Sequence, residues 1–183
     1  MAKWFLEPGH TAAEFRARHM MVTDVRGHFK NIGGWLEYDP DNPGTSSVEV
    51  TIDAKGIWTG EPDRDAHLRS ADFLDVENHP EISFKSVELE LISQNACVLK
   101  GNLTIRGVTR EVTLSVNFLG QWETPWWEGN EDKGPKTRAG FVAETSINRH
   151  DFGVSWNSAL DKGGIVVGNT VAITIDAEAI RET

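Results

Sequence analysis

Residues Arg64 to Phe84 read RDAHLRSADFLDVENHPEISF, and the stretch changes period partway along. In its first half, Leu68, Ala71, Phe73 and Leu74 fall on one side of a short helix, at spacings of three and four. Arg64, Asp65 and Arg69 fall on the other side. Pro80 ends any helix and biases His79 towards extended backbone. From Ile82 the period is two: Ile82, Phe84 and Ser86 face one way, Ser83 and Lys85 the other. One helix between strand-rich flanks is expected to cover the end of a barrel or sandwich.

The flanks carry the same alternation. Ala13, Phe15, Ala17 and His19 oppose Glu14, Arg16 and Arg18, the pattern of a strand with one wet face. Val25, Gly27 and Phe29 share one parity, while Ile32, Gly34, Leu36 and Tyr38 share the other. A bulge between the two sets turns both inward. Asp39-Pro-Asp-Asn-Pro-Gly44 is a turn. Further alternating runs are Val48–Ile52, Ile82–Leu91, Leu99–Ile105, Val112–Phe118, Phe141–Ile147 and Val171–Ala179. Gly120 to Arg138, with three tryptophans and two prolines, reads as a loop; Trp126 and Trp127 form either a lid over a mouth or a cover on the outside. The sum is an all-β chain of about eight antiparallel strands with one short helix near residues 62–72. A closed barrel of that size is just wide enough for one slender ligand.

The chain of 183 residues fits a single domain, 1–183. Its net charge of −10 disfavours nucleic acid and anionic membrane surfaces as partners, since both reward clustered Lys and Arg. The opening MAKWFLEP lacks the apolar core of a secretory leader, so a cytoplasmic protein is expected. No apolar run is long enough for stable membrane insertion. The only cysteine, Cys97, sits among Ala96, Val98 and Leu99 and is expected to be buried and inert.

Five segments together resemble the YceI-like family of polyisoprenoid- or lipid-binding proteins. They are Pro8-Gly-His10-Thr11 with Phe15 and His19; Val25-Arg-Gly27-His-Phe29 with Gly34; Arg64-Asp65-x-His67-Leu68-x-Ser70-x-Asp72-Phe73 with Pro80-x-Ile82-x-Phe84; Gly101-x-Leu103-x-Ile105-x-Gly107-Val-Thr109; and Asn148-Arg149-x-Asp151-Phe152-Gly153. The resemblance covers nearly the whole chain in order. It implies an eight-stranded, lipocalin-like antiparallel barrel whose long apolar interior holds an isoprenoid quinone, a polyprenyl chain or a fatty-acid-type amphiphile. It implies no cofactor other than that non-covalent lipid. Many members are periplasmic, and a homodimer is one state that Trp-bearing loops allow.

Inward parity and the resemblance assign lipid contact to Phe15, Ala17, His19, Phe29, Gly34, Ile52, Phe73, Phe84, Phe141 and Phe152. Small inward residues (Ala13, Ala17, Gly27, Gly34, Ala143, Ala177) are expected to leave space for the ligand. Asp63, Asp65 and His67, after Glu61, diverge on a helix and so do not form a metal site there. Asp63 or Asp65 is expected to cap the helix and pair with Arg64 or Arg69, with His67 and Ser70 bonding buried backbone. His10 and His19 are candidates for a headgroup contact. Cys97, His150 and Asp151 lie too far apart in sequence to read as a hydrolase site. No catalytic residue is assigned. Two rival readings stay open: a barrel filled by its own side chains that serves as an interaction or stress-response module, and a hydrolase using His67 with Asp65 or His19.

Overall fold

The computed structural model describes residues 2–39 and 41–182; Met1, Thr183 and Pro40 of the predicted turn lie outside the described residues. The strands, in chain order, are β1 (Ala2–Leu6), β2 (Ala12–His19), β3 (Thr23–Phe29), β4 (Ile32–Tyr38), β5 (Ser47–Asp53), β6 (Glu81–Ser93), β7 (Ala96–Ile105), β8 (Val108–Glu128), β9 (Glu131–Asn148) and β10 (Val167–Arg181). One helix, α1 (Pro62–Arg69), and three short 3-10 turns complete the described residues.

These ten segments make eight staves. β1 and β2 lie end to end along β10, through Leu6↔Ala179 on one side of the break and Ala12↔Asp176 on the other. β4 and β3 lie end to end beside them, through Phe5↔Trp35 and Ala13↔Phe29. The order then runs β4-β5-β6-β7-β8-β9-β10, every pair antiparallel, and β10 returns to β1 to close the barrel. The break between β1 and β2 is bridged by Thr11, 2% exposed, whose hydroxyl accepts from Glu178 N at 3.2 Å and donates to Glu178 O at 3.4 Å. The break between β3 and β4 falls at Asn31, with φ +59°, and turns both Phe29 and Ile32 inward as the parity predicts.

The segment read as a loop, Gly120 to Arg138, is instead the outer part of the β8–β9 hairpin, paired from Gly120↔Gly140 to Glu128↔Glu131. It extends past the last β7 partner, Asn117↔Ala96, as an arm. Its ladder is backbone pairing without a core beneath it, which hydrophobic alternation cannot reveal. Trp126 lies under the Arg138 guanidinium, 5.2 Å from ring to cation, and Trp127 is exposed.

Helix α1 closes one end of the barrel. Pro62 opens it at a position where a missing N–H is harmless. The cap is Glu61, not Asp63 or Asp65: its carboxylate accepts from Arg64 N at 2.7 Å and Asp63 N at 3.4 Å. Asp65 is buried and pairs with neither arginine. It accepts from Thr59 N at 2.9 Å and from the Thr59 hydroxyl at 2.5 Å, pinning the helix to the preceding loop. Arg69 adds bonds to Lys55 O and Ile57 O at 2.8 and 2.7 Å. A helix this short is held by such tertiary bonds rather than by its own propensity. Among the described residues, no helix is long and apolar enough to cross a membrane.

Candidate ligand-binding cavity

The inward faces of the staves do not meet. They enclose a cavity of about 370 Å³ that runs from α1 to the opposite end of the barrel. Inward side chains such as Val50, Phe84, Val116, Phe141, Ile173 and Ile175 are only half-buried, because they border this space instead of one another. Along β7, Cys97, Leu99, Leu103 and Ile105 line the wall. At a rise of about 3.3 Å per residue and a tilt of ~40°, that wall spans on the order of 20 Å along the barrel axis.

The α1 end is sealed. Ile57, Phe73, Phe152, Val154 and Arg149 line the cavity there and are all buried. Arg149 is the keystone of the seal. Its guanidinium donates to Val154 O at 2.7 Å, Trp156 O at 2.9 Å, Gly168 O at 2.9 Å and Val167 O at 3.2 Å. Burial without a carboxylate partner pulls its pKa below the ordinary arginine value. Asn157 reinforces the same loop, donating to Val167 O and accepting from Val166 N and Val167 N. The neighbouring Asn148 caps the 3-10 turn at His150 N, and Gly153 ends it at φ +73°. The Asn148–Gly153 segment therefore earns its pattern as the fastening of the closed end.

The other end is the mouth. Leu91, Gln94 and Asn95 on the β6–β7 hairpin line the cavity and are exposed, and Pro43, Ser46 and Ser47 face them from the β4–β5 connection. Trp4 and Tyr38 pack edge to face beside this opening, and Tyr38 also touches Phe118 and Phe141. Burial, aided by the Asp39 carboxylate, pushes the Tyr38 phenol above its ordinary value.

Of the ten residues assigned to the ligand by sequence, Phe15, Ala17, Phe29, Ile52, Phe73, Phe84, Phe141 and Phe152 line the cavity. Two do not. His19 has the inward parity but is the last residue of β2, beside the Met20–Met21 turn, and stops short of the cavity wall. Gly34 pairs with Val50 of β5, so closely that a Cβ would run into the Glu49 carbonyl; its smallness serves strand contact, not ligand space. Gly27 behaves alike, with Phe15 and the Trp58 carbonyl filling its side-chain place.

The other candidates point elsewhere. His10 lies on the outer wall, with Nδ1 3.1 Å from Glu7 and 3.2 Å from Glu178. These three are the only cluster of potential metal ligands among the described residues, and Arg138 already pairs with Glu178 there. His67 bonds Asp72 at 2.8 Å and meets Phe73 and Trp156 edge-on, while Asp65 faces Thr59. Ser70 donates to His67 O at 2.7 Å. Cys97 lines the mouth half of the cavity and is half-buried rather than enclosed; burial raises its thiol pKa. His150 and Asp151 sit at the sealed end, a barrel length away.

A closed antiparallel barrel with an unfilled apolar bore is the architecture of small-lipophile barrels. The chain belongs to the YceI-like family: the YceI-like domain model matches residues 4–179. A UPF0312 protein of Pectobacterium carotovorum is 37% identical over 180 residues, covering 98% of this chain and 86% of that protein. One of Pseudomonas putida is 31% identical over 176 residues, covering 96% and 84%. Among solved structures, BcnA of Burkholderia cenocepacia superposes with a TM-score of 0.76 at 21% identity, covering 94% of this chain and 98% of that one. A polyisoprenoid-binding domain from Saccharophagus degradans does so with a TM-score of 0.66 at 12% identity, both chains fully covered.

Proposed function

We propose that this protein is a non-enzymatic carrier or store for one long-chain apolar molecule, with isoprenoid quinone and polyprenyl chains ahead of fatty-acid-type amphiphiles. The observation that carries the reading is the continuous bore of about 370 Å³ walled by half-buried aliphatic and aromatic side chains. An unfilled apolar cavity lowers stability, and a hydrocarbon chain in it restores the missing contacts. Each methylene buried contributes about 0.8 kcal/mol, so a chain binds tightly with few polar contacts. The name of the Saccharophagus degradans domain points the same way. Such a site is tolerant of chain chemistry and strict about chain length.

The test is native mass spectrometry of the protein purified from its own cells, followed by organic extraction. A stoichiometric long-chain molecule is expected. A clean apo mass with no uptake of added quinones or fatty acids would overturn the reading in favour of an interaction module.

A further inference from the structure

Two hydroxyls at the mouth of the cavity have no hydrogen-bond partner among the described residues. Tyr38 ends β4, is 7% exposed, and lines the cavity with its ring held by Trp4, Phe118 and Phe141. Its phenol oxygen has no hydrogen-bond partner among the described residues; the one bond at this residue is from Trp4 Nε1 to the backbone carbonyl. Ser46 also lines the cavity, and its Oγ is buried with no partner. The two belong together. The β4–β5 ladder ends at Glu37↔Ser47, so Tyr38 and Ser46 are the next residue on each side of it, and both line the cavity.

A hydroxyl buried without a partner, as at Ser46, destabilises a protein, and alanine would fill that place without the cost. The rest of the bore is nearly all hydrocarbon, so the unpaired hydroxyls are concentrated where a ligand's head would lodge. Each can donate one hydrogen bond. We infer that Tyr38 and Ser46 form a polar anchor for an uncharged headgroup carrying a carbonyl oxygen, such as a ketone, ester or amide, while the chain runs towards α1. The inference rests on the cavity being a ligand site.

The charges at the mouth select against an anionic head. Asp39 and Asp41 follow Tyr38 in the chain, and Gln94 and Asn95 supply only amides. The only cation among the cavity-lining residues is Arg149, at the sealed end, with its guanidinium bonded to four carbonyls. Among the described cavity-lining residues, a carboxylate or phosphate head would meet no counter-charge at the mouth.

The experiment compares methyl stearate, octadecane and stearate on the wild type, Tyr38→Phe, Ser46→Ala and the double variant. The double variant is expected to lose about tenfold in affinity for methyl stearate, the loss of one to two hydrogen bonds, with octadecane binding unchanged. Stearate is expected to bind the wild type more weakly than its ester. Absorbance of the only tyrosine provides a second readout on the unmodified protein: it should shift with methyl stearate and stay fixed with octadecane. Equal ester affinity in wild type and double variant, or an unmoved tyrosine spectrum, would overturn the anchor while leaving the cavity reading intact. Failure of the wild type to take up any of the three would overturn both.

Discussion

The ring of Phe84 occupies the place where a side chain on Gly101 would stand. A Cβ at Gly101 would meet that ring and, at 2.6 Å, the Lys85 carbonyl. Phe15 covers Gly27 on the other side of the barrel in the same way, at 2.5 Å. The two rings thus lie against the wall, and the glycines keep them out of the bore.

Gly101→Ala should drive Phe84 into the cavity. Overpacking of this kind costs about 1–3 kcal/mol. Chemical denaturation should show that loss, and the longest ligand retained in native mass spectrometry should become shorter. A variant of unchanged stability and capacity would mean that the ring has room elsewhere.

Ala17→Phe adds bulk to the cavity wall without touching the backbone contacts that make Gly34 irreplaceable. The fold should survive, with a melting temperature at or above that of the wild type, because the new ring fills space. Binding of a homologous series of chains should fall off at a shorter length. Unchanged length dependence would place the ligand away from β2.

Arg149→Lys removes the planar fork that holds four carbonyls. A lysine cannot reach them all, and the loss should be about 3 kcal/mol in urea unfolding. Ligand dissociation should accelerate, because the closed end loosens. Loss of stability with no change in dissociation rate would confine Arg149 to a folding role.

Tyr38 is the single tyrosine, so phenolate absorbance reads it alone. Its pKa is raised above the ordinary value of 10.0 by burial and Asp39, so the folded state holds the proton more tightly than the unfolded one. The stabilisation linked to it is complete below the unfolded value and is lost as pH rises from there through the folded value. The absorbance midpoint should therefore lie above that of free tyrosine, and alkaline destabilisation should be weaker in Tyr38→Phe. A midpoint at or below the free value contradicts this.

Cys97 gives a footprint of the bore. Its raised thiol pKa makes alkylation slow near neutrality and faster as pH rises past the ordinary cysteine range. A bound chain should shield it. Equal alkylation with and without ligand would put the chain away from Cys97.

The barrel was legible because its inward face is continuous. The alternation in β2, β5, β7 and β10, and the parity change between Phe29 and Ile32, suffice to turn ten segments into a closed wall. The arm was not legible. Gly120, Pro125, Gly134 and Pro135 interrupt the pattern, and Pro125 pairs directly with Pro135. Parity also says which way a residue points but not how high it stands, which is why His19 passes the sequence test and misses the cavity. It cannot separate a glycine that leaves space from one that a neighbouring strand needs, as at Gly34. Tyr38 was placed on the inward parity, yet its unpaired hydroxyl and that of Ser46 show only once their surroundings are known. The Glu7–His10–Glu178 group joins residues 168 positions apart and has no local signature.

The seal built by α1, Phe73, Phe152 and Arg149 makes the barrel a cul-de-sac. Whatever enters at the mouth leaves by the same door, so a second molecule cannot push the first out through the far side. On the carrier reading proposed above, uptake and release share that single opening, and a filled site has to empty before it takes a second chain.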